Sequence, residues 1–246
     1  MKVSVLICAA GASSRYGGKN KKQFTEMDGR ALFVRSIEAF SDRDDICQIL
    51  LAIPAEDEEI FEIRWQDKLA FYGVKHVLGG KERHDTITNM LKHVQEDAEL
   101  VALHDAVRPC VQKKQIDAVF QMAAKTGAAI LAHRLVGTVK KVNDEDIITD
   151  TIDRSALWEA QTPQVFNKDI IEKAYANREN LSEQITDDAQ LVEAMGHSVS
   201  VVESDSSNIK ITNSTDIAIA RAVLKSRPKP KKAGGPVGPW AGEQEW

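Results

Sequence analysis

The residues with the most chemical potential lie in a small-residue loop near the N-terminus, Cys8-Ala9-Ala10-Gly11-Ala12-Ser13-Ser14-Arg15-Tyr16-Gly17-Gly18-Lys19-Asn20-Lys21-Lys22-Gln23. Small side chains let the backbone approach a ligand closely, and consecutive N–H groups cradle phosphate. Arg15, Lys19, Lys21 and Lys22 add positive charge to the same stretch. It is not a Walker loop, because Ser13 stands where the first glycine belongs and Asn20 replaces the required Ser or Thr. Nor is it Gly-x-Gly-x-x-Gly, since Ser13 also occupies the place of the second glycine. Composition alone leaves a phosphate cradle and a solvated basic loop as equal readings.

Four further stretches carry polar chemistry. Asp105, in His104-Asp105-Ala106-Val107-Arg108-Pro109, follows an apolar run. A carboxylate there suits Mg²⁺, which takes one or two carboxylates plus substrate phosphate oxygens; a helix cap or an ion pair with Arg108 is the structural alternative. Gly79-Gly80-Lys81-Glu82-Arg83-His84-Asp85-Thr86 is a second close-approach loop. Thr186-Asp187-Asp188 also reads as a helix N-cap, and Asn208-Ile209-Lys210-Ile211-Thr212 as an edge strand with an exposed lysine. The six histidines form no His-x-His or His-Glu-x-x-His pattern, so a zinc site is not expected.

The elements that must position these residues follow from periodicity. Val3–Ala9, Ile46–Ile53, Val74–Leu78, Leu100–Leu103 and Ala128–Leu131 are short apolar runs of the buried-strand kind. Between them, Leu32–Phe40, Glu56 to about Ala70, the stretch from Thr86 (Ile87, Met90, Leu91, Val94) and the set Ile116, Val119, Phe120, Ala123 follow helical spacing. This alternation predicts a mostly parallel sheet in a three-layer, Rossmann-like α/β fold with helices on both faces. From about 133 to 154 two β-rich runs flank Asn143-Asp144-Glu145-Asp146, which predicts a protruding hairpin arm. An isolated hairpin is marginal in water, so a second subunit is the simplest surface for it. The last third returns to helices, with strands at Ser198–Glu203 and Ile209–Thr212 and a final helix from about Thr215 to Lys225. We expect one domain over 1–225 and a flexible tail over 226–246, where four of the seven prolines fall.

Composition excludes several classes. With 32 Lys and Arg against 37 Asp and Glu, the formal net charge is −5, which argues against nucleic acid as a partner. Three scattered cysteines without a Cys-x-x-Cys pair write no disulfide framework. No stretch is long and apolar enough for a membrane span, and the N-terminus has no leader pattern; a cytoplasmic location is expected.

In chain order, Ala9-Ala10-Gly11…Arg15…Lys22-Gln23, Gly79-Gly80…Arg83, His104-Asp105-Ala106-Val107-Arg108-Pro109, Thr151-Ile152-Asp153-Arg154, Gln161-Thr162-Pro163-Gln164, Thr186-Asp187-Asp188 and Asn208-Ile209-Lys210-Ile211-Thr212 resemble the 2-C-methyl-D-erythritol 4-phosphate cytidylyltransferases of the non-mevalonate isoprenoid pathway. The resemblance covers about Val3 to Leu224. It implies a nucleotide-diphospho-sugar-transferase-like fold, CTP as substrate, Mg²⁺ as metal and a homodimer clasped by the arm. Carried over residue by residue, it implies catalytic roles for Arg15, Lys22, Arg154 and Lys210. Ala9, Ala10, Gly11, Gly80, Thr86, Asp105 and Ala106 match positions around the nucleotide, with Asp105 also the metal-linked one. Arg108, Thr138, Arg154, Thr162, Thr186 and Lys210 match contacts to the polyol phosphate, Thr138 and Arg154 reaching it in the neighbouring subunit. The chain departs from the family pattern at Cys8, Lys21, Lys81 and Gly137. Ribitol-5-phosphate cytidylyltransferases share the His-Asp-Ala-Val-Arg-Pro motif and are the alternative, with a non-catalytic nucleotide-binding relative as a second. The Thr-Ile-Asp-Arg and Thr-Asp-Asp segments match the methylerythritol enzymes more closely, and the intact set Arg15, Lys22, Asp105, Arg154 and Lys210 argues for catalysis.

Overall fold

The computed structural model describes residues 1–11, 21–178 and 185–228. Its centre is a seven-stranded sheet in the order β11-β7-β10-β6-β1-β4-β5. The strands are β1 (Val3–Cys8), β4 (Ile46–Ile53), β5 (Lys75–Leu78), β6 (Leu100–Asp105), β7 (Ala128–Arg134), β10 (Trp158–Asn167) and β11 (Ser200–Glu203). Strand β10 pairs antiparallel with β6 and β7, and every other pairing in this sheet is parallel. Two short strands, β2 (Glu26–Met27) and β3 (Arg30–Ala31), form a small separate ribbon.

Successive side chains of a strand point to opposite faces, so a parallel strand covered on both sides is apolar throughout. Val3, Val5 and Ile7 of β1 join one buried cluster with Phe33, Ile37 and Phe40 of α1 (Leu32–Ser41), Phe61 of α2 (Glu58–Phe71) and Val119 and Phe120 of α4 (Lys113–Thr126). Leu6 joins the opposite cluster with Ile87 and Met90 of α3 (Arg83–Leu91), Ile171 and Tyr175 of α5 (Lys168–Ala176) and Leu191 and Val192 of α6 (Asp188–Ala194). The last helix, α7 (Ser214–Ser226), packs Ala220 against Met27, Leu32 and Cys110 in a third cluster. Three layers with a mostly parallel sheet in the middle are the predicted architecture.

Two local expectations need correction. Strand β10 is not among the expected elements: Pro163 and the polar Gln161, Thr162 and Gln164 break the alternation that marks a strand. Its register slips between Ala160 and Gln164, the stretch that holds Pro163, whose nitrogen has no hydrogen to give. The predicted strand Ile209–Thr212 is absent. That segment is pinned through Ile211, whose N–H donates to the Val107 carbonyl at 2.9 Å, and forms no strand ladder.

The arm is present as β8 (Val139–Val142) and β9 (Ile148–Ile152), an antiparallel pair. Asn143 shapes its turn, its side-chain oxygen accepting from the N–H groups of Glu145 and Ile147. The arm has no core of its own. Val142, Ile147 and Ile148 are at least half exposed, and Val136 at its base is 79 % exposed. The expected tail lies outside the described residues from 229 onward.

Candidate active site

In parallel α/β sheets, ligands bind beyond the carboxyl ends of the strands. Register places those ends together here: Cys8 is level with Ala52 and Asp105, and Ile53 with Leu78. The segments that leave them enclose a cavity of about 660 Å³. Ala9, Ala10 and Gly11 follow β1, Pro54 to Glu56 follow β4, Gly79 to Arg83 follow β5, and Asp105 closes β6. Lys22, Thr86 and Lys210 complete the predicted residues on its lining.

Lys22 is placed by its neighbours. It opens a short 3₁₀ turn, Lys22–Phe24. Gln23 is buried and donates to the carbonyls of Ala9 and Gly11 at 2.6 and 3.2 Å, which ties the end of the loop back to its beginning. Phe24 packs among Phe33 and Phe61. On the other side Lys21 pairs with Glu56 at 2.5 Å and Asp57 at 2.7 Å, spanning to the segment after β4.

The glycine pair has a steric reason. A Cβ at Gly79 would stand 2.3 Å from the Ala10 Cβ, and one at Gly80 would stand 2.3 Å from the Asp85 Cβ and 2.9 Å from the Asp85 carbonyl carbon. Thr86 Oγ accepts from the Gly80 N–H and donates to the Glu82 carbonyl, both at 3.0 Å, so its hydroxyl shapes the loop. Gly80→Ala is therefore expected to displace the first turn of α3 and to cost about 1–3 kcal/mol of stability, the scale of overpacking. Urea denaturation measures it; an unchanged midpoint and slope would contradict so tight an approach.

Asp105 is buried and its Oδ2 accepts from Lys210 Nζ at 2.9 Å and from Arg108 Nε at 3.3 Å. Burial pushes its carboxyl up, but Lys210, Arg83 and Arg108 outweigh burial and hold it well below the usual carboxylate range. Lys210 is aimed from below. Asn208 is buried and donates to the Gln161 side chain and the Thr162 carbonyl, while Arg108 donates to the Asn208 carbonyl at 2.8 Å. His104 supports the same corner. The Arg108 carbonyl can only accept, so His104 Nε2 carries the proton there at 3.2 Å. Nδ1 then accepts from Thr162 Oγ at 3.1 Å, and Thr162 Oγ accepts the Asp105 N–H at 3.0 Å. Burial pulls the imidazole down to about 4, which keeps it neutral at pH 7.

The remaining predicted residues lie elsewhere. Ala106, Arg108 and Thr162 are buried and do not line the cavity. Thr186 bonds through its N–H and hydroxyl to Gln190 at the start of α6, and Asp187 caps that helix by accepting the Gln190 N–H. Thr138 and Arg154 sit exposed on the arm, where Arg154 donates to the Val136 carbonyl; neither lines the cavity of its own chain. Arg15 lies outside the described residues. Arg83 does line the cavity, part-buried and paired with the buried Asp188, a pairing that motif spacing alone does not reveal. Among the described residues, the one grouping of metal-ligand type is Glu58, Glu62 and His76, none of them on this cavity.

A model of the family described as IspD, 2-C-methyl-D-erythritol 4-phosphate cytidylyltransferase, matches residues 3–226. The chain belongs to this family. A 2-C-methyl-D-erythritol 4-phosphate cytidylyltransferase of Endomicrobium trichonymphae is 37% identical over 226 residues, covering 92% of this chain and 100% of the relative. Another, from Rhodopirellula baltica, is 38% identical over 233 residues, covering 90% of this chain and 94% of its own length. Among solved structures, a 4-diphosphocytidyl-2C-methyl-D-erythritol synthase from Anaerococcus prevotii matches with a TM-score of 0.78 at 30% identity, over 91% of this chain and 96% of that one. The IspD structure from Francisella tularensis matches with a TM-score of 0.75 at 31% identity, over 91% of this chain and all of that one.

Proposed function

We propose that this IspD family member transfers the cytidylyl group of CTP to 2-C-methyl-D-erythritol 4-phosphate, giving 4-diphosphocytidyl-2-C-methyl-D-erythritol and pyrophosphate. A phosphate monoester has its second pKa near 6, so the attacking oxygen is largely ionised at neutral pH and no general base is needed. The barrier is repulsion between two anions, together with the need to hold them in line. The observation that carries the reading is the meeting of Lys22, Lys210 and Asp105 with two glycine- and alanine-walled loops in one cavity. Lys22 faces the triphosphate, and Arg15 is assigned to the same role by its place in the sequence motif. The neutral base lies against the backbone of Ala9 to Gly11 and Gly79 to Gly80, which line the same cavity.

Lys210, held by Asp105, and Arg154 act on the acceptor phosphate. Arg154 sits on an arm with no core, so it reaches the site of a second subunit in a homodimer. Asp105 fits Mg²⁺: Oδ2 is engaged by two cations, and Oδ1 has no hydrogen-bond partner among the described residues. One carboxylate plus triphosphate oxygens is an ordinary Mg²⁺ set, and the ion supplies charge neutralisation when bound. We place the enzyme in the cytoplasm: Cys8, Cys47 and Cys110 are free thiols, and no helix among the described residues is long and apolar enough to cross a membrane. Pyrophosphate release with CTP and either 2-C-methyl-D-erythritol 4-phosphate or ribitol 5-phosphate tests the reading. Release with the first acceptor is expected; release with ribitol 5-phosphate alone, or with neither, contradicts it.

A further inference from the structure

Asp188 is completely buried, far along the chain from the glycine loop, and does not line the cavity. Its two oxygens accept from both terminal nitrogens of Arg83, at 2.7 and 2.6 Å. Tyr175 donates its hydroxyl to Oδ1 at 2.5 Å. Such a fork fixes direction as well as distance. Burial opposes the Arg83 charge, but Asp188 outweighs it and holds the guanidinium charged; burial, then Asp188, pushes the Tyr175 phenol up.

The attachment points give the triad its meaning. Arg83 is the first residue of α3 and stands midway between Gly80 and Thr86, the two residues whose mutual hydrogen bond shapes the cavity wall. Asp188 is the first residue of α6, and the start of α6 is fixed to the sheet by Gln164 of β10. Gln164 donates to Asp187 at 2.8 Å and accepts the Ala189 N–H at 3.1 Å. Tyr175 belongs to α5, packed on the same face of the sheet. The glycine wall is thus suspended, through one guanidinium, from α5, α6 and β10. A weaker tie, Arg178 to Asp85 at 3.3 Å, runs beside it.

We propose that Arg83, Asp188 and Tyr175 form a positioning device that holds the Gly79–Gly80 wall in place against the Ala9–Gly11 wall, and so sets the preference for cytosine over other bases. This rests on the reading of the cavity as a CTP site. Backbone groups discriminate a base by hydrogen bonds about 3 Å long, and a wall displaced by a few tenths of an ångström loses that discrimination. The fork uses two of the five N–H donors of Arg83 and fixes the plane of its guanidinium against Asp188.

Tyr175→Phe removes one oxygen, and Arg83→Lys keeps the charge but loses the fork. Initial rates with CTP, with UTP and with varied acceptor, together with thermal melts, separate the possibilities. For folded Tyr175→Phe we expect KM for CTP to rise and the CTP-over-UTP ratio of kcat/KM to fall, each by roughly tenfold, the scale of one lost buried hydrogen bond to a charged group. The KM for the acceptor stays at its wild-type value. Arg83→Lys shifts the same two quantities further. Wild-type CTP preference in both folded variants overturns the proposal, and so does an equal rise in KM for nucleotide and acceptor, which marks general loosening. If the wild-type protein itself turns over no CTP, the functional reading fails, an outcome distinct from an active wild type whose variants keep their preference.

Discussion

Lys22→Ala is expected to lower kcat by roughly 10²-fold or more, the scale of removing one preorganised electrostatic donor. The residue is anchored through its neighbour Gln23, which bonds to the Ala9 and Gly11 carbonyls, while Lys21 turns its charge to Glu56 and Asp57. Its ammonium is therefore presented to the cavity by a fixed backbone. Arg15→Ala is expected to have a comparable effect from the same loop. Lys21→Ala is the control. It removes an equal charge one residue away, but that charge is spent on a partly exposed ion pair, which contributes little. We expect its kcat to stay within about threefold of wild type, because exposed pairs are worth only about 0–1 kcal/mol. Steady-state turnover of the three variants checks this. Equal losses for Lys21→Ala and Lys22→Ala would mean that the site responds to net charge and not to placement.

Arg154→Ala is expected to be comparably damaging, on the proposal that the arm of one subunit serves the site of another. The arm carries Arg154 away from the cavity of its own chain, and the arm's apolar residues Val142, Ile147 and Ile148 are exposed in the single chain. In a mixed dimer of Arg154→Ala and Lys22→Ala subunits, one of the two sites receives intact Lys22 from one chain and intact Arg154 from the other. Random pairing of equal amounts makes half the dimers mixed, so recovery to about one quarter of wild-type activity is expected for a symmetric homodimer. Absence of recovery in dimers verified as mixed would place Arg154 at its own chain's site.

How much of the fold and the site is legible in the amino-acid sequence depends on the kind of signal. Strands β1, β4 and β6 are buried on both faces, so their apolar runs stand out, and the loops at their carboxyl ends are where an α/β sheet binds ligands. That logic places Ala9 to Gly11, Gly80, Asp105 and Lys22 on one cavity. Strand β10 is illegible because it pairs antiparallel in the middle of the sheet and carries Pro163 with the buried Gln161, Thr162 and Gln164, residues that read as a loop. Ile209–Thr212 reads as a strand because its apolar residues alternate. In the fold, Ile211 alone is buried among them, and the segment serves to hold Lys210. The Arg83–Asp188 pair and the His104–Thr162–Asp105 relay are invisible for another reason. Their partners come from distant parts of the chain, and burial gives them their energy. Spacing carries neither fact.

The central claim is that positive side chains on a glycine-walled cavity bring two phosphates together, with the triphosphate at Lys22. A crystal structure of the protein with CTP bound tests it most directly. The account predicts triphosphate oxygens about 3 Å from Lys22 Nζ, within hydrogen-bond reach, and the base against the backbone of Gly79 and Gly80. CTP bound with its phosphates away from Lys22, or with its base outside the glycine wall, would contradict it.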